Sequence, residues 1–316
     1  MKKACALGID IGGSTTRGGI LVESTGLLTG IRSTPTPAAE GGEAIIRNAE
    51  ILARELALEA EIEGLDVRGI GIALAELVDP DGIPASAHAL PLRGVGVRER
   101  FTAIAPAIVD ADSRAAALGE ALHGAGRPYR TFLYVTAGTG IGCAVVLDRV
   151  PLTGAKGAAG TIASAPQTFR CARCGATSKA VLEDIASGPA LAAAWRRRTG
   201  SASAGAEEVI LAAVEGNPVA LEIVNNAAVV LGSTVALIVN VLDPEAVVTG
   251  GGLGSAPGPY HEAFVRSLRE HVWSDLNRDL PILRAGHGAL AGVVGAAARA
   301  LKEAGHGGGA AGPRSL

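Results

Sequence analysis

The sequence predicts an α/β fold built from two similar halves. Three observations point to it. Predicted strands alternate with predicted helices along the chain. Two hairpins of one plan, residues 6–22 and 131–148, stand about half a chain apart: each is an apolar strand, a turn of Gly with Ser or Thr, and an apolar strand back. A third glycine cluster, Gly250–Gly252, follows an apolar strand at 246–249. An internal repeat on this scale implies two domains facing each other across a cleft.

The elements follow in order. Residues 4–11 read as a strand buried on both faces, 18–22 as the returning strand and 30–33 as a third, before Pro35 and Pro37 break the pattern. Residues 43–61 have helical spacing, with Ile46, Ile51, Leu52, Leu56 and Leu58 available for an apolar face. Residues 67–74 (VRGIGIAL) read as a strand, 79–82 as a turn, 107–110 as a short strand ending in acid, and 115–123 as an Ala-rich helix. After the second hairpin, 154–160 is a glycine-rich loop. Residues 181–195 read as helix with a break at 187–189, and 207–215 and 220–241 as helices, the second apolar enough to be buried between layers. Asp243 and Pro244 stop it. A helix at 259–270, a strand at 281–284 and an Ala-rich helix at 289–303 complete the chain, and a Gly-rich flexible tail is expected over 304–316.

Composition narrows the class. The chain has 316 residues, 48% hydrophobic and 19% charged, which is long enough for two domains with cores and too apolar for disorder. The 44 glycines call for many tight turns. Net charge is −3 without a basic block, so nucleic acid is not expected as a partner, and Arg196–Arg198 reads as a solvated helix end. No run of about 18 uninterrupted apolar residues appears, so no membrane span is expected. MKKACALGID begins with charge as a leader does, but reaches Asp10 too early for a full apolar region. Four unevenly spaced cysteines make no disulfide framework, and a reducing cytoplasm fits them.

The hairpin turns carry the chemistry. Asp10 ends the first strand; Gly12 and Gly13 let backbone N–H groups approach an anion; Ser14, Thr15 and Thr16 add hydroxyls and Arg17 a fixed positive charge. The second turn offers Thr136, Gly138, Thr139 and Gly140. All three glycine-rich turns stand at carboxyl ends of strands, where open α/β sheets bind ligands. Neither the GxGxxG nor the GxxxxGK[ST] pattern occurs. Two phosphate-type loops and a bare glycine cluster suit a nucleoside triphosphate held between two domains.

With those residues in hand, the chain resembles the ROK family of sugar kinases, in the actin/hexokinase/Hsp70 superfamily. IDIGGSTTRGGI, GIGIAL, DADSRAAALGE, LYVTAGTGIGCAVVLD, GAKGAAG, VLEDIASGPAL and NVLDPEAVVTGGGL carry the resemblance, in family order. It implies two actin-like (ribonuclease H-like) domains, 1–114 completed by helix 289–303, and 115–288, closing on ATP and a sugar. It implies that Asp10 holds Mg²⁺ through water, that Gly12–Thr15 and Thr136–Gly140 cradle phosphates, and that Gly250, Gly251 and Gly252 lie by the adenosine. Asp112 matches the catalytic Asp of the family motif NDAN, the base for an attacking alcohol; its alternative role is a helix cap. A homodimer is implied too. Family repressors carry an N-terminal DNA-binding segment, and this chain starts at the first strand, so that branch is not expected.

The acceptor side departs from the family. Ala111 and Arg114 stand where NDAN has its two Asn residues, Ala89, beside His88, stands for the Asn of PNLP, and Thr161 and Ser164 replace the Glu and His of AGEIGH. Glu183, before the SG pair, is kept. His88, Ala111, Asp112, Arg114, Thr161, Ser164 and Glu183 are the expected acceptor-site residues. The family's zinc ligands reduce to Cys171 and Cys174, with Val181 and Ser164 at the other two positions, so structural zinc is not expected. Cys5 and Cys143 read as core residues.

The expectation is an ATP-dependent kinase acting on a primary hydroxyl of a sugar-like molecule. Lost hexose ligands would leave sugar hydroxyls unpaired. That favours a C7-cyclitol of the valiolone type or a modified sugar of a specialised, antibiotic-type pathway, as in family cyclitol and kanosamine kinases; Asp110 or Glu183 could meet a ring ammonium. High Ala, Gly and Arg usage, suggesting a GC-rich genome, agrees. The alternatives are a kanosamine or glucose 6-kinase and, in another class, a non-catalytic sugar sensor, which intact Asp10, Asp112 and phosphate loops argue against.

Overall fold

The computed structural model describes residues 2–170, 175, 177–201 and 205–305. The chain opens with β1 (Lys3–Ile11), β2 (Thr15–Val22), β3 (Leu27–Pro35), α1 (Gly42–Ile62), β4 (Leu65–Leu74), α2 (Val97–Thr102), β5 (Ala107–Ala111) and α3 (Asp112–His123). It continues through β6 (Phe132–Ala137), β7 (Ile141–Leu147), the two-residue β8 (Val150–Pro151), β9 (Pro166–Arg170) and β10 (Thr177–Val181). Helices α4 (Glu183–Ala186), α5 (Gly188–Thr199), α6 (Ala206–Val214) and α7 (Pro218–Leu242) follow. The chain ends with β11 (Ala246–Gly250), α8 (Gly251–Ser255), α9 (Pro259–His271), β12 (Ile282–Arg284) and α10 (Ala291–Gly305). Of the described residues, 2–127, 149–159 and 290–305 form one compact unit, and 128–148 and 160–289 the other.

In the first unit a five-stranded sheet has the order β3-β2-β1-β4-β5. The first three strands are antiparallel, and β1, β4 and β5 are parallel. Strand alternation sorts β1 into two faces. Leu7, Ile9 and Ile11 pack with Ile45, Ile46, Leu52 and Leu56 of α1. Ala6, Gly8 and Asp10 face the other way, toward α10, where Ala6 packs with Ala297, Ala298 and Ala300. That face is built from small residues because α10 comes very close. A Cβ on Gly71 would stand 1.8 Å from the carbonyl oxygen of Ala296.

Helix α1 follows the expected span but buries a different stripe. Ile45, Ala49, Ala53 and Ala60 are covered with Ile46, Leu52 and Leu56, whereas Ile51 and Leu58 are exposed. Those two are seven residues apart, on the stripe opposite the sheet. Helix α3 starts at Asp112, three residues before the expected start, and belongs to the first unit rather than opening the second. It lies against α10, where a Cβ on Gly295 would come within 1.6 Å of the Ala115 carbonyl oxygen. Gly295→Ala is therefore expected to cost about 1–3 kcal/mol of stability through overpacking, read as a lowered urea midpoint; an unchanged midpoint would show that the two helices can part freely.

The second unit repeats the plan: β6 and β7 form an antiparallel hairpin, β11 runs parallel to β6, and β12 runs parallel to β11. Leu133, Val135, Val247 and residues of α5, α6, α7 and α9 make its core. Helix α7 is long and apolar enough to cross a bilayer by length and composition alone, but half of its most apolar window is buried inside the protein, as for a core helix. The strand β10 runs to Val181, where the sequence predicts helix, and pairs with β9 in a separate two-stranded sheet. The 304–316 tail expectation falls, beyond residue 305, outside the described residues, and so do Cys171 and Cys174. Cys5 and Cys143 are buried free thiols, and burial pushes them up to about 11 and about 12, so they are poor nucleophiles.

Candidate active site

In the first unit, register aligns the functional residues. Asp10 pairs with Ala73, and Ala73 pairs with Asp110, so the three stand level at the carboxyl ends of β1, β4 and β5. Asp112 comes two residues later, at the first turn of α3. Ala111, not Asp112, occupies the cap position, and the Asp112 carboxylate accepts the N–H of its neighbour Ser113 at 2.6 Å. Asp10 faces the start of α10 so closely that a Cβ on Gly292 would stand 2.6 Å from its Oδ2. Burial pushes Asp10 up to about 7, the charge of Asp112 adding to the rise and Arg17 opposing it. Arg17 sits directly across the β1–β2 ladder from Asp10. Burial likewise raises Asp112 to about 6; the Ser113 N–H and Arg114 oppose the shift, and Glu76 and Asp110 add to it.

The turn between β1 and β2 is latched from outside the hairpin. The Gly12 N–H bonds the Thr15 carbonyl oxygen at 3.1 Å, and the Thr36 N–H bonds the Ser14 carbonyl oxygen at 3.0 Å. The Thr36 hydroxyl donates to the Gly12 carbonyl oxygen at 2.8 Å and lies 2.9 Å from the Thr16 hydroxyl. Thr16 is thus buried and used internally, contrary to the expectation that it offers its hydroxyl to an anion, while Ser14 stays exposed.

Arg114 does not line an open pocket. It is buried, with Nε on Asp110 Oδ1 at 2.6 Å, Nη1 on the Gly157 carbonyl oxygen at 2.8 Å and Nη2 on the Val78 carbonyl oxygen at 2.7 Å. Asp110 Oδ2 accepts from Arg299. Both carboxylate oxygens of Asp110 are therefore bonded to guanidinium groups inside the unit, and the expectation that Asp110 meets a ring ammonium fails. His88 is exposed and Ala111 buried.

In the second unit, Gly250 pairs with Thr136, which sets the third glycine cluster beside the second phosphate-type turn. The Gly138 N–H bonds the Gly140 carbonyl oxygen at 3.0 Å, leaving Thr139 exposed at the tip. Gly251 has φ +75°, and a Cβ there would stand 2.3 Å from the Ala137 carbonyl oxygen. Gly252 has open space around it. Glu183 accepts the Ile141 N–H at 2.8 Å through Oε2, so it braces the return strand of this turn. The Glu183 N–H bonds the Ala163 carbonyl oxygen at 3.0 Å, tying the segment with Thr161 and Ser164 to the same place. Both are exposed, and the Ser164 hydroxyl turns back to the Thr161 carbonyl oxygen at 3.4 Å.

The structure adds residues that sequence patterns did not single out: Glu76, Ser86, Thr36 and Arg299. Each acts on a partner at least ten positions away, so no local spacing announces it.

The ROK family model matches residues 6–303. The chain belongs to the ROK family. It is 28% identical to a glucokinase of Halalkalibacterium halodurans, over 84% of each chain. It is 30% identical to an N-acetylmannosamine kinase of Salmonella typhi, over 84% of this chain and 94% of the relative. A ROK glucokinase of Streptomyces griseus, solved in complex with glucose and AMPPNP, superposes with a TM-score of 0.79 at 25% identity, covering 94% of this chain and 99% of that one. The actin-like α/β fold expected from the sequence is therefore the fold of this ROK chain, and its relatives are phosphotransferases with an alcohol acceptor.

Proposed function

We propose that this ROK protein is an ATP-dependent kinase that phosphorylates a primary hydroxyl of a sugar-like molecule. The observation that carries the reading is the level row of Asp10 and Asp110 with Asp112 just beyond, at the carboxyl ends of parallel strands and beside a latched glycine turn. Asp112 is the base. Raised to about 6, it is ionised at neutral pH yet more basic than an ordinary carboxylate. It takes the acceptor O–H proton while the acceptor oxygen bonds the γ-phosphorus and the bond to the bridging oxygen breaks, releasing ADP. The turns at Gly12–Thr15 and Thr136–Gly140 offer N–H and hydroxyl donors to phosphates, and the bare backbone of Gly250–Gly252 suits the adenosine.

The residues fit a Mg²⁺ that Asp10 would hold through water, rather than one held in a protein cage. Among the described residues no group of three or more His, Cys, Asp or Glu could hold a metal by itself. Asp10, buried beside Asp112 and pushed up to about 7, is the carboxylate a nearby cation would return to its ionised form. When bound, the ion would neutralise charge on the transferring phosphoryl group.

For the acceptor, we favour a C7-cyclitol of the valiolone type or a modified sugar such as kanosamine. Ala111 cannot hydrogen-bond through its side chain, and Arg114 and Asp110 are consumed internally, which leaves fewer groups for the hydroxyls of a plain hexose. Glucokinase activity is the second reading, favoured by the relatives named above. Measuring ADP release over glucose, N-acetylmannosamine, kanosamine and a valiolone-type cyclitol decides between them. The expected result is a higher kcat/KM for the cyclitol or kanosamine than for glucose. Better turnover of glucose would make it a plain glucokinase, and ATP binding without turnover of any acceptor would favour a sugar sensor.

A further inference from the structure

We propose that Glu76 is a positioning residue that fixes the acceptor side of the site by anchoring the segment from Ser86 to Leu90. The inference rests on the kinase reading above. Glu76 lies two residues beyond β4 and is only 6% exposed. One carboxylate oxygen accepts two consecutive backbone N–H groups, from Ala89 at 2.6 Å and Leu90 at 2.7 Å. The other accepts the Ser86 hydroxyl. The Ser86 oxygen in turn accepts the Leu77 N–H at 2.8 Å, closing a ring back to the residue after Glu76. No Lys or Arg among the described residues forms an ion pair with Glu76. A buried carboxylate compensated only by backbone and hydroxyl donors is an expensive way to shape a loop.

What the anchor shapes is next to the chemistry. The segment it holds leaves Ala87, His88 and Ala89 exposed to solvent. The Ala89 methyl lies 3.8 Å from where a Cβ on Gly13 would stand, so the loop abuts the phosphate-type turn. Asp112 feels the negative charge of Glu76, which places the anchor within electrostatic reach of the base. A single side chain therefore fixes exposed residues that are neighbours of the donor turn and of the base, inside one unit.

Two conservative variants separate reach from charge. Glu76→Gln keeps an oxygen for the two N–H groups and can donate to Ser86, while losing the charge. Glu76→Asp keeps the charge but withdraws it by a methylene. Steady-state kinetics with the acceptor that the wild type uses best should show Glu76→Asp raising the acceptor KM about tenfold, and Glu76→Gln raising it less than about threefold, with KM for ATP within about twofold for both. The inference is overturned if the order of the two variants reverses, if the acceptor KM is unmoved in Glu76→Asp, or if both KM values rise together as a merely structural defect would make them. Absence of wild-type turnover on every acceptor would instead overturn the kinase reading, and this inference with it.

Discussion

Asp112→Asn is expected to lower kcat by about 10²- to 10⁴-fold, the contribution of a positioned general base. The amide is nearly isosteric and can still accept the Ser113 N–H, so the start of α3 should be undisturbed. The loss would report the missing proton acceptor rather than a misfolded unit. The wild-type rate should carry the same signature in pH. Only ionised Asp112 accepts a proton, and burial has raised it to about 6, so activity should climb as pH rises through about 6 and then level off. The rising limb should vanish in the Asn variant. A variant that retains the wild-type rate would remove Asp112 from the mechanism.

Arg114→Ala is expected to destabilise the protein by about 3–5 kcal/mol, the penalty for breaking a buried charge pair. Arg114 is 2% exposed and each of its three guanidinium nitrogens is bonded, to Asp110, Gly157 and Val78. Its removal would strand two buried carbonyl oxygens and leave one Asp110 oxygen with only its neighbour Ala111 N–H. Arg299 would still hold the other oxygen. Arg114→Lys should recover only part of the loss, since an ammonium cannot reproduce the planar spread of donors toward three acceptors. Urea denaturation of the three proteins measures this, and a loss under about 1 kcal/mol for the Ala variant would mean that water replaces the guanidinium there.

The same residue shows where sequence reading stops. Arg114 lies two positions beyond the candidate base, and that position suggested a pocket wall. Its side chain instead runs to Val78 and Gly157, 36 and 43 positions away, and nothing within the local pattern encodes those partners. Glu76 is hidden for the same reason, being an acid between a predicted strand and a predicted turn whose donors lie ten to fourteen positions on. The turns were legible because their chemistry is local: Gly12, Gly138 and Gly251 stand where the backbone itself must bend or pass close to another chain segment. The two halves were legible because each repeats one plan, a hairpin followed by a parallel neighbour. The hairpin of β9 and β10 was not: Pro166, Thr168, Thr177, Ser178 and Lys179 are exposed, so burial imposes no apolar pattern at those positions. The apolar residues of α1 showed a helix, but Ile51 and Leu58 count equally in composition and differ only in angle.

The seat of α10 on β1 and β4 sets the order in which the protein can be made. The strand bearing Asp10 leaves the ribosome before every segment of the other unit, and the helix that covers it leaves after all of them. Between residues 127 and 290 the ribosome spends about 10–30 s on a chain most of which builds the other unit. During that interval Ala6, Gly8, Gly71 and Ala73 present a small-residue surface with no α10 to cover it. The first unit is begun first and finished last, and the carboxylate at its centre reaches its mature surroundings only when Gly292 arrives beside it.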